Sequence, residues 1–229
     1  MIPWLRPQDP FPPVEAALAE PNGPNGLLAA GADLSLERLL AAYRRGIFPW
    51  FNPGEPILWW SPDPRLVLFP DELRVSSSLK RVLKKGIFQV TMDRAFREVI
   101  VQCAELRKGR GEDTWITPKM IEAYTRLHEM GYVHSVESWL EGNLVGGLYG
   151  VALGKAFFGE SMFALRTDAS KVAMVHLVRF LKERDFALID CQQSTQHLKS
   201  FGAREIARSE FLRLLARFAG GGVDKPGWT

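Results

Sequence analysis

Two short stretches place carboxylate and amide side chains where they could take part in chemistry. Glu160 stands between Gly159 and Ser161 near the end of an apolar run, and Asp190 and Gln192 belong to the stretch LIDCQ. A carboxylate can take up a proton or bind a cation, and an amide that is positioned by a carboxylate can orient a ligand through hydrogen bonds. The alternative for Glu160 is a strand end that reaches solvent beside a glycine.

The elements that carry these residues favour a shared site. The stretch 141–163 predicts a β-hairpin after a turn at Glu141, residues 166–185 predict a helix, and ALIDCQ predicts a buried strand. A strand, a crossover helix and a second strand form a parallel pair by the right-handed rule. The polar ends of such strands lie at one edge of the sheet, where open sheets bind ligands. Glu160, Asp190 and Gln192 are therefore predicted to meet at a ligand site.

The order of elements along the chain predicts an α/β (α+β) fold. Residues 1–65 are rich in proline and aromatic residues and are predicted to form a small N-terminal domain. From residue 66 strands alternate with amphipathic helices, which predicts a mixed sheet with helices on both faces over residues 66–229. The last residues, 220–229, are predicted to fray.

Composition and charge narrow the class of protein. The 229 residues are 46% hydrophobic and 24% charged, which is typical of a globular chain, and the net charge is only +3. The two cysteines have no metal-ligand spacing, which favours a reducing compartment and no metal. The N-terminus lacks the pattern of a signal peptide, and no apolar run reaches the roughly 18 residues of a membrane helix. We therefore expect a cytoplasmic protein without a membrane partner.

Two further features suit a nucleic acid. The stretch SSSLKRVLKK predicts a short helix on which Lys80, Arg81, Lys84 and Lys85 share a face. This is the densest positive patch of the chain, and it is either a solvated face or a site for a polyanion. A tryptophan on a rigid proline-rich loop, as in residues 46–65, either packs in a hydrophobic cluster or offers a stacking platform for a base.

The order of hairpin, helix and strand resembles the core of the GCN5-related acetyltransferases. Those enzymes bind acyl-coenzyme A between two splayed parallel strands and use a glycine-containing loop for the pyrophosphate. The corresponding stretch here is RTDASKVA, and no glycine occurs between Arg166 and Phe201. Backbone N–H groups approach a pyrophosphate closely where glycines leave space. The resemblance implies the fold, and an acetyl-coenzyme A-dependent N-acetyltransferase is kept as the alternative function.

A narrower resemblance, to the bacterial leucyl/phenylalanyl-tRNA–protein transferases, covers the chain from about Pro24 to Phe211. The matching segments, in order, are PNGLLAAGADLS, YRRGIFPWF, PILWWSPDPR, TWIT, LVGGLYGVALG, FFGESMF, ASK and LIDCQ. The resemblance implies transfer of Leu or Phe, or of Met, from aminoacyl-tRNA to proteins that begin with Arg or Lys. This transfer marks the proteins for degradation, needs no cofactor and is expected of a monomer. A non-catalytic tRNA-binding module and a peptidoglycan aminoacyltransferase are two further functions that the sequence leaves open.

The resemblance also implies roles for individual residues. Trp50 and Trp115 would hold the 3′-terminal adenosine, and the basic helix at residues 80–85 would meet tRNA phosphates. Glu160, Asp190 and Gln192 would line the reaction centre, where Asp190 is expected to fix Gln192. The pocket for the Leu or Phe side chain would be formed by Leu148, Met162, Leu177, Leu181 and Ile189. The four histidines show no catalytic pattern and are expected to be uninvolved.

Overall fold

The computed structural model describes residues 2–108, 114–219 and 228, and within these ranges the strands form two sheets. The N-terminal sheet has the order β1-β2-β4-β3 and consists of β1 (Trp4–Leu5), β2 (Leu27–Gly31), β3 (Phe48–Pro49) and β4 (Leu58–Trp60). Helix α1 (Leu36–Arg44) begins at Ser35, whose side chain accepts a hydrogen bond from the N–H of Arg38. The proline-rich stretch 46–65 contributes the short strands β3 and β4.

The second sheet contains seven of the described strands in the order β11-β5-β10-β9-β8-β7-β6. Its strands are β5 (Arg65–Leu68), β6 (Gln89–Met92), β7 (Val133–Leu140), β8 (Asn143–Leu153), β9 (Ala156–Ala164), β10 (Leu188–Gln192) and β11 (Arg204–Ile206). The helices are α2 (Ser77–Lys85), α3 (Phe96–Lys108), α4 (Pro118–Glu129), α5 (Ala169–Glu183), α6 (Gln196–Ser200) and α7 (Arg208–Phe218). The predicted domain boundary at residue 65 stays a prediction.

Helices cover both faces of the second sheet. On one face α5 buries Ala173, Leu177 and Leu181 in a cluster with sheet residues such as Leu148 and Ile189. On the other face α3 and α4 bury apolar side chains against β7, β8 and β9, in a cluster that continues into the N-terminal sheet. The predicted mixed α/β sheet with a smaller N-terminal unit is therefore confirmed.

The pairing of β9 with β10 is parallel, as predicted, but it is short. The register runs from Leu188 opposite Ala156 to Asp190 opposite Phe158 and goes no further. The prediction that the strand ends at Glu160 is wrong, because β9 continues beyond it to Ala164, paired with β8. The two strands part because β10 leaves the ladder with an irregularity between Asp190 and Gln192, while β9 stays held along its other edge.

Two tight features shape β8. It follows β7 through Glu141 and Gly142, both with positive φ, as a two-residue hairpin turn requires. Further along, a Cβ on Gly150 would lie 2.2 Å from the carbonyl oxygen of Phe158, so only glycine permits the close approach of β9.

The C-terminal prediction is only partly covered by the described residues. Residues 220–227 and 229 lie outside them, as do residues 109–113. Trp228 is described, and it is buried with its ring 4.0 Å from that of His134, so this residue is not frayed. Among the described helices, none combines the length and the apolar character needed to cross a membrane.

Candidate active site

A cavity of about 540 Å³ lies where β9 and β10 separate. Its walls come from both parts of the chain: Phe48, Pro49 and Trp50 from the N-terminal unit, and residues of β8, β9, α5, β10 and α6 from the larger one. The cavity is therefore built jointly by the two units. The strand edge that the sequence predicts as a ligand site is the edge that this cavity occupies.

Glu160 presents its carboxylate at this cavity and is 8% exposed. Its Oε1 accepts hydrogen bonds from the hydroxyl of Tyr43 and from Nε2 of Gln192, each at 2.8 Å. Its Oε2 accepts one from the hydroxyl of Tyr124 at 3.2 Å. Burial raises the pKa of Glu160 from 4.5 to about 7, with the hydrogen bonds of the tyrosines and Gln192 acting in the opposite direction. The carboxyl group can therefore change protonation near neutral pH.

The two tyrosine hydroxyls also contact each other. Tyr43, Tyr124 and the Glu160 carboxylate thus form a ring of three oxygen–oxygen contacts. Each tyrosine brings one hydroxyl proton, so an ionised Glu160 leaves the ring one proton short. When Glu160 takes up a proton, each of the three oxygen–oxygen contacts has one proton. The ring can therefore hold the proton that Glu160 accepts.

Asp190 lies beside the site without lining the cavity. It is fully buried, and its two oxygens accept hydrogen bonds from Nε and Nη2 of Arg65 at 2.8 and 2.7 Å. Its Oδ1 also accepts the backbone N–H of Gln192 at 2.8 Å. The expectation that Asp190 fixes Gln192 agrees with this contact, but Asp190 does not line the cavity, because Arg65 holds its carboxylate on the other side.

The two predicted tryptophans both line the cavity but differ in exposure. Trp50 is 37% exposed, and its ring lies 5.4 Å from that of Trp60. The backbone carbonyl of Trp50 accepts a hydrogen bond from the indole of Trp60 at 2.7 Å, which holds the loop. Trp115 is only 8% exposed. The structure therefore brings together two rings from stretches that are far apart in the chain.

The apolar part of the cavity contains most of the predicted side-chain pocket. Leu148, Met162, Leu177 and Ile189 line it, together with Phe157, Met174 and Cys191. Leu181 does not line the cavity: it is fully buried one turn further along α5. Burial raises the pKa of the Cys191 thiol, which therefore stays protonated and acts as an apolar wall.

The predicted basic helix is α2, and it lies apart from the cavity. It packs through Leu79, while Lys80, Arg81, Lys84 and Lys85 are all exposed. In the described part of the chain none of these four side chains belongs to a salt bridge with a carboxylate. Its charge is therefore available to a partner in solution.

Several site residues escaped the sequence analysis. Tyr43 and Tyr124 are buried aromatic residues on helices, and by pattern they cannot be told from core residues. His197 lines the cavity although no histidine was expected there, and burial and then Lys171 lower its pKa, which keeps the ring neutral. Its Nε2 and the Oγ of Ser161 are buried without a hydrogen-bond partner among the described residues. Both residues line the cavity through other atoms.

Comparison with known proteins gives consistent matches over almost the whole chain. The family described as leucyl/phenylalanyl-tRNA protein transferase matches residues 67–216, and the N-terminal domain of the same family matches residues 32–63. A relative named leucyl/phenylalanyl-tRNA–protein transferase from Azoarcus sp. is 61% identical over 100% of this chain and 96% of its own length. One of the same name from Syntrophobacter fumaroxidans is 65% identical over 90% of this chain and 86% of its own.

Solved structures are similar only at a distance. A ribosomal-protein-alanine N-acetyltransferase from Brucella melitensis biovar Abortus is 14% identical, with a TM-score of 0.37 over 49% of this chain and 84% of its own. L-PGS from Bacillus licheniformis is 9% identical, with a TM-score of 0.42 over 73% of this chain and 53% of its own. These two similarities carry no information on substrate.

Proposed function

The chain belongs to the leucyl/phenylalanyl-tRNA protein transferase family, and from this membership we propose how its cavity works. It is an aminoacyltransferase that moves Leu or Phe from aminoacyl-tRNA to a protein. The acceptor is the free α-amine of a protein that begins with Arg or Lys, and the product is marked for degradation in the cytoplasm. The observation that carries the proposal is Glu160, a carboxylate with a pKa near 7 on the cavity wall.

The 3′ end of the tRNA enters between the tryptophans. A terminal adenine needs an aromatic face for stacking, and Trp50 at the exposed rim and Trp115 deeper in the wall offer two such faces. The proline-rich loop holds Trp50 in place before the ligand arrives. The phosphates of the tRNA then lie toward α2, whose exposed cations supply attraction without base recognition.

The transferred side chain occupies the apolar part of the cavity. Leu148, Met162, Leu177 and Ile189 form walls that suit a branched or aromatic side chain. Methionine at position 162 is flexible enough to accommodate both shapes. The pocket therefore favours Leu, Phe or Met over a polar residue.

The reaction is an aminolysis of an ester that is already activated. The α-amine of the acceptor, with a reference pKa of about 7.7–8.0, is partly neutral at physiological pH. Its nitrogen attacks the ester carbon, the bond from that carbon to the ribose oxygen breaks, and an amide bond forms. Glu160 accepts the proton that the amine loses, and the amide of Gln192 holds the carboxylate in place. The ribose oxygen recovers a proton from Glu160, from a neighbouring hydroxyl or from water.

An acetyl-coenzyme A-dependent reaction fits the same fold less well. The first two residues of α5, Ala169 and Ser170, are buried, and a Cβ on Gly146 of β8 would lie 2.5 Å from that of Ala169. The start of this helix is therefore packed against the sheet and does not offer open N–H groups to a pyrophosphate.

The experiment offers labelled leucyl-tRNA and two peptides, one beginning with a free Arg and one with an acetylated Arg. We expect label to move only to the free amine, and a parallel reaction with labelled acetyl-coenzyme A to give no product. Transfer to neither peptide, or transfer of acetyl groups instead, would contradict the proposal.

A further inference from the structure

A buried ion pair stands directly behind the site. The Arg65 side chain is 1% exposed and that of Asp190 is fully buried, and Nε and Nη2 of Arg65 meet the two carboxylate oxygens at 2.8 and 2.7 Å. Neither residue lines the cavity. The pair joins β5 to β10, the strand that carries Gln192.

Asp190, which Arg65 holds in place, also fixes the backbone of Gln192. Its Oδ1 accepts the N–H of Gln192 at 2.8 Å, at the point where β10 leaves its ladder. Gln192 has a φ of +60°, a left-handed conformation that is uncommon for a residue with a side chain. The contact with Asp190 holds this conformation, and the conformation directs the amide of Gln192 to Oε1 of Glu160.

The guanidinium of Arg65 is itself clamped between two aromatic rings. Its central carbon lies 4.8 Å from the ring centre of Phe48 and 4.7 Å from that of Phe211. Phe48 belongs to the N-terminal sheet and lines the cavity, whereas Phe211 belongs to α7. A planar guanidinium can stack between two rings and bind both carboxylate oxygens at once, which an ammonium group cannot do.

Stability alone does not account for such a pair. Removing two charges from water is costly, and well-packed apolar residues in place of a buried ion pair often leave a protein equally or more stable. What apolar residues could not supply is a carboxylate oxygen at a fixed place beside the N–H of Gln192. The pair therefore has a geometric use that packing does not replace.

We propose that Arg65 is a positioning residue of the transfer reaction, which acts through Asp190 to hold Gln192 in the conformation that contacts Glu160. The inference rests on the proposed function, because it takes Glu160 and Gln192 to be the groups that meet the attacking amine. Arg65 itself touches neither substrate nor reacting atoms. Its influence is confined to the rate of the chemical step.

The test compares Arg65→Lys, Gln192→Ala and the double variant in single-turnover transfer with saturating leucyl-tRNA and an Arg peptide. Arg65→Lys keeps a positive charge but removes the planar guanidinium. The paired hydrogen bonds to Asp190 and the stacking between Phe48 and Phe211 are lost with it. We expect its rate constant to fall by about 10- to 100-fold, the effect typical of a group displaced by about 1 Å. We expect half-saturating substrate concentrations to change by less than about threefold, because ground-state binding is left intact. In the double variant the rate should equal that of Gln192→Ala, because Arg65 has nothing left to position.

The control is Arg38→Lys. Arg38 is also a buried arginine, but its guanidinium binds the backbone carbonyls of Arg6 and Pro7, away from the cavity. Thermal denaturation of each variant shows which protein is folded. Titration of each variant with substrate gives the active fraction independently of the rate constant.

Failure of this inference can be distinguished from failure of the proposed function. If Arg65→Lys lowers only the active fraction, or if its effect multiplies with that of Gln192→Ala, Arg65 has no positioning role. If Arg65→Lys fails to fold, Asp190→Asn takes its place in the comparison with Gln192→Ala and the double variant. Asp190→Asn removes the ion pair but keeps an acceptor beside the N–H of Gln192. The same two results would then contradict the positioning role. If the wild-type protein transfers nothing, the proposed function fails before this inference is reached.

Discussion

The side-chain amide of Gln192 donates a 2.8 Å hydrogen bond to Oε1 of Glu160 across the point where their two strands separate. The bond joins residues that are 32 positions apart, and it forms after the backbone ladder between β9 and β10 has ended. The carboxylate and the amide therefore face a cavity as a unit, held by side chains rather than by the sheet.

The first prediction concerns proton transfer. Glu160→Gln removes the carboxylate that we propose as the base, and we expect the single-turnover rate constant to fall by about 10²- to 10⁴-fold. In the wild type the rate should rise with pH through about 7, where Glu160 loses its proton. In the variant only the titration of the acceptor amine should remain. Glu137→Gln, which alters a buried carboxylate away from the cavity, serves as the control, and an unchanged profile in Glu160→Gln would contradict the role.

The second prediction concerns stability and pH. The pKa of Glu160 is raised from 4.5 to about 7, so the folded state holds a proton that the unfolded state releases between these values. The contribution of Glu160 to the free energy of unfolding therefore falls as pH rises from about 4.5 to about 7. Glu160→Gln should be more stable than the wild type by about 2–3 kcal/mol at pH 8, and this gain should vanish below about pH 4.5. Urea denaturation at pH 8 and below pH 4.5 measures the difference in free energy of unfolding between the variant and the wild type. If the gain in stability persists at the lower pH, the titration of Glu160 is not its cause.

The third prediction concerns the tyrosines. Tyr124→Phe removes a hydrogen bond that favours the ionised form of Glu160, so the pKa of Glu160 rises. We expect the pH of half-maximal rate to move upward and the rate at pH 7 to fall by about 10-fold, the worth of roughly one hydrogen bond to a charged group. Tyr132→Phe, on a half-buried tyrosine outside the cavity, should leave the pH profile in place. An unshifted pH profile in Tyr124→Phe would show that Tyr124 does not influence the pKa of Glu160.

The fourth prediction concerns the tRNA end. Trp115→Ala removes one stacking face, and we expect the KM for leucyl-tRNA to rise by about 10-fold, since stacking on an aromatic ring contributes roughly 1–3 kcal/mol per base. Trp115→Phe should recover most of the affinity. Trp4→Ala, at a ring that is 68% exposed and does not line the cavity, is the matched control for loss of a tryptophan. Equal effects at both positions would argue against a stacking role.

The fifth prediction concerns the choice of amino acid. Leu177→Ala widens the apolar pocket, so we expect the ratio of phenylalanyl to leucyl transfer to rise by about 10-fold, within the range that a few methylene groups provide. Leu181→Ala removes an equal volume one turn along α5 but behind the cavity wall. It should cost stability and leave the ratio unchanged. Competition between the two charged tRNAs in one reaction measures both variants directly.

Much of the sheet could be predicted because its signals are local. The Glu141–Gly142 turn, the capping residues Ser35 and Thr117, and the apolar stripe of α5 are all set by neighbouring residues. The parallel pair of β9 and β10 follows from the handedness of a crossover. These elements place Glu160 and Gln192 near one another, and the structure agrees.

The remaining features of the fold and the site depend on long-range contacts, which local sequence patterns do not specify. Arg65 meets Asp190 because β5 lies antiparallel beside β10, and these residues are 125 positions apart in the chain. This ion pair also holds the Asp190 carboxylate away from the cavity. Tyr43 reaches Glu160 from a helix of the N-terminal unit, over 117 positions. Such pairings are set by how the sheets and helices assemble, which strand and helix periodicity does not specify.

The long separation between Arg65 and Asp190 also has a consequence during synthesis. A ribosome releases the chain from the N-terminus onward, so Arg65, Tyr43 and the N-terminal sheet emerge well before their partners. Until β10 has left the exit tunnel, the guanidinium has no carboxylate and Glu160 has no amide. The network that joins Arg65, Asp190, Gln192 and Glu160 can therefore form only after residue 192 has been synthesised.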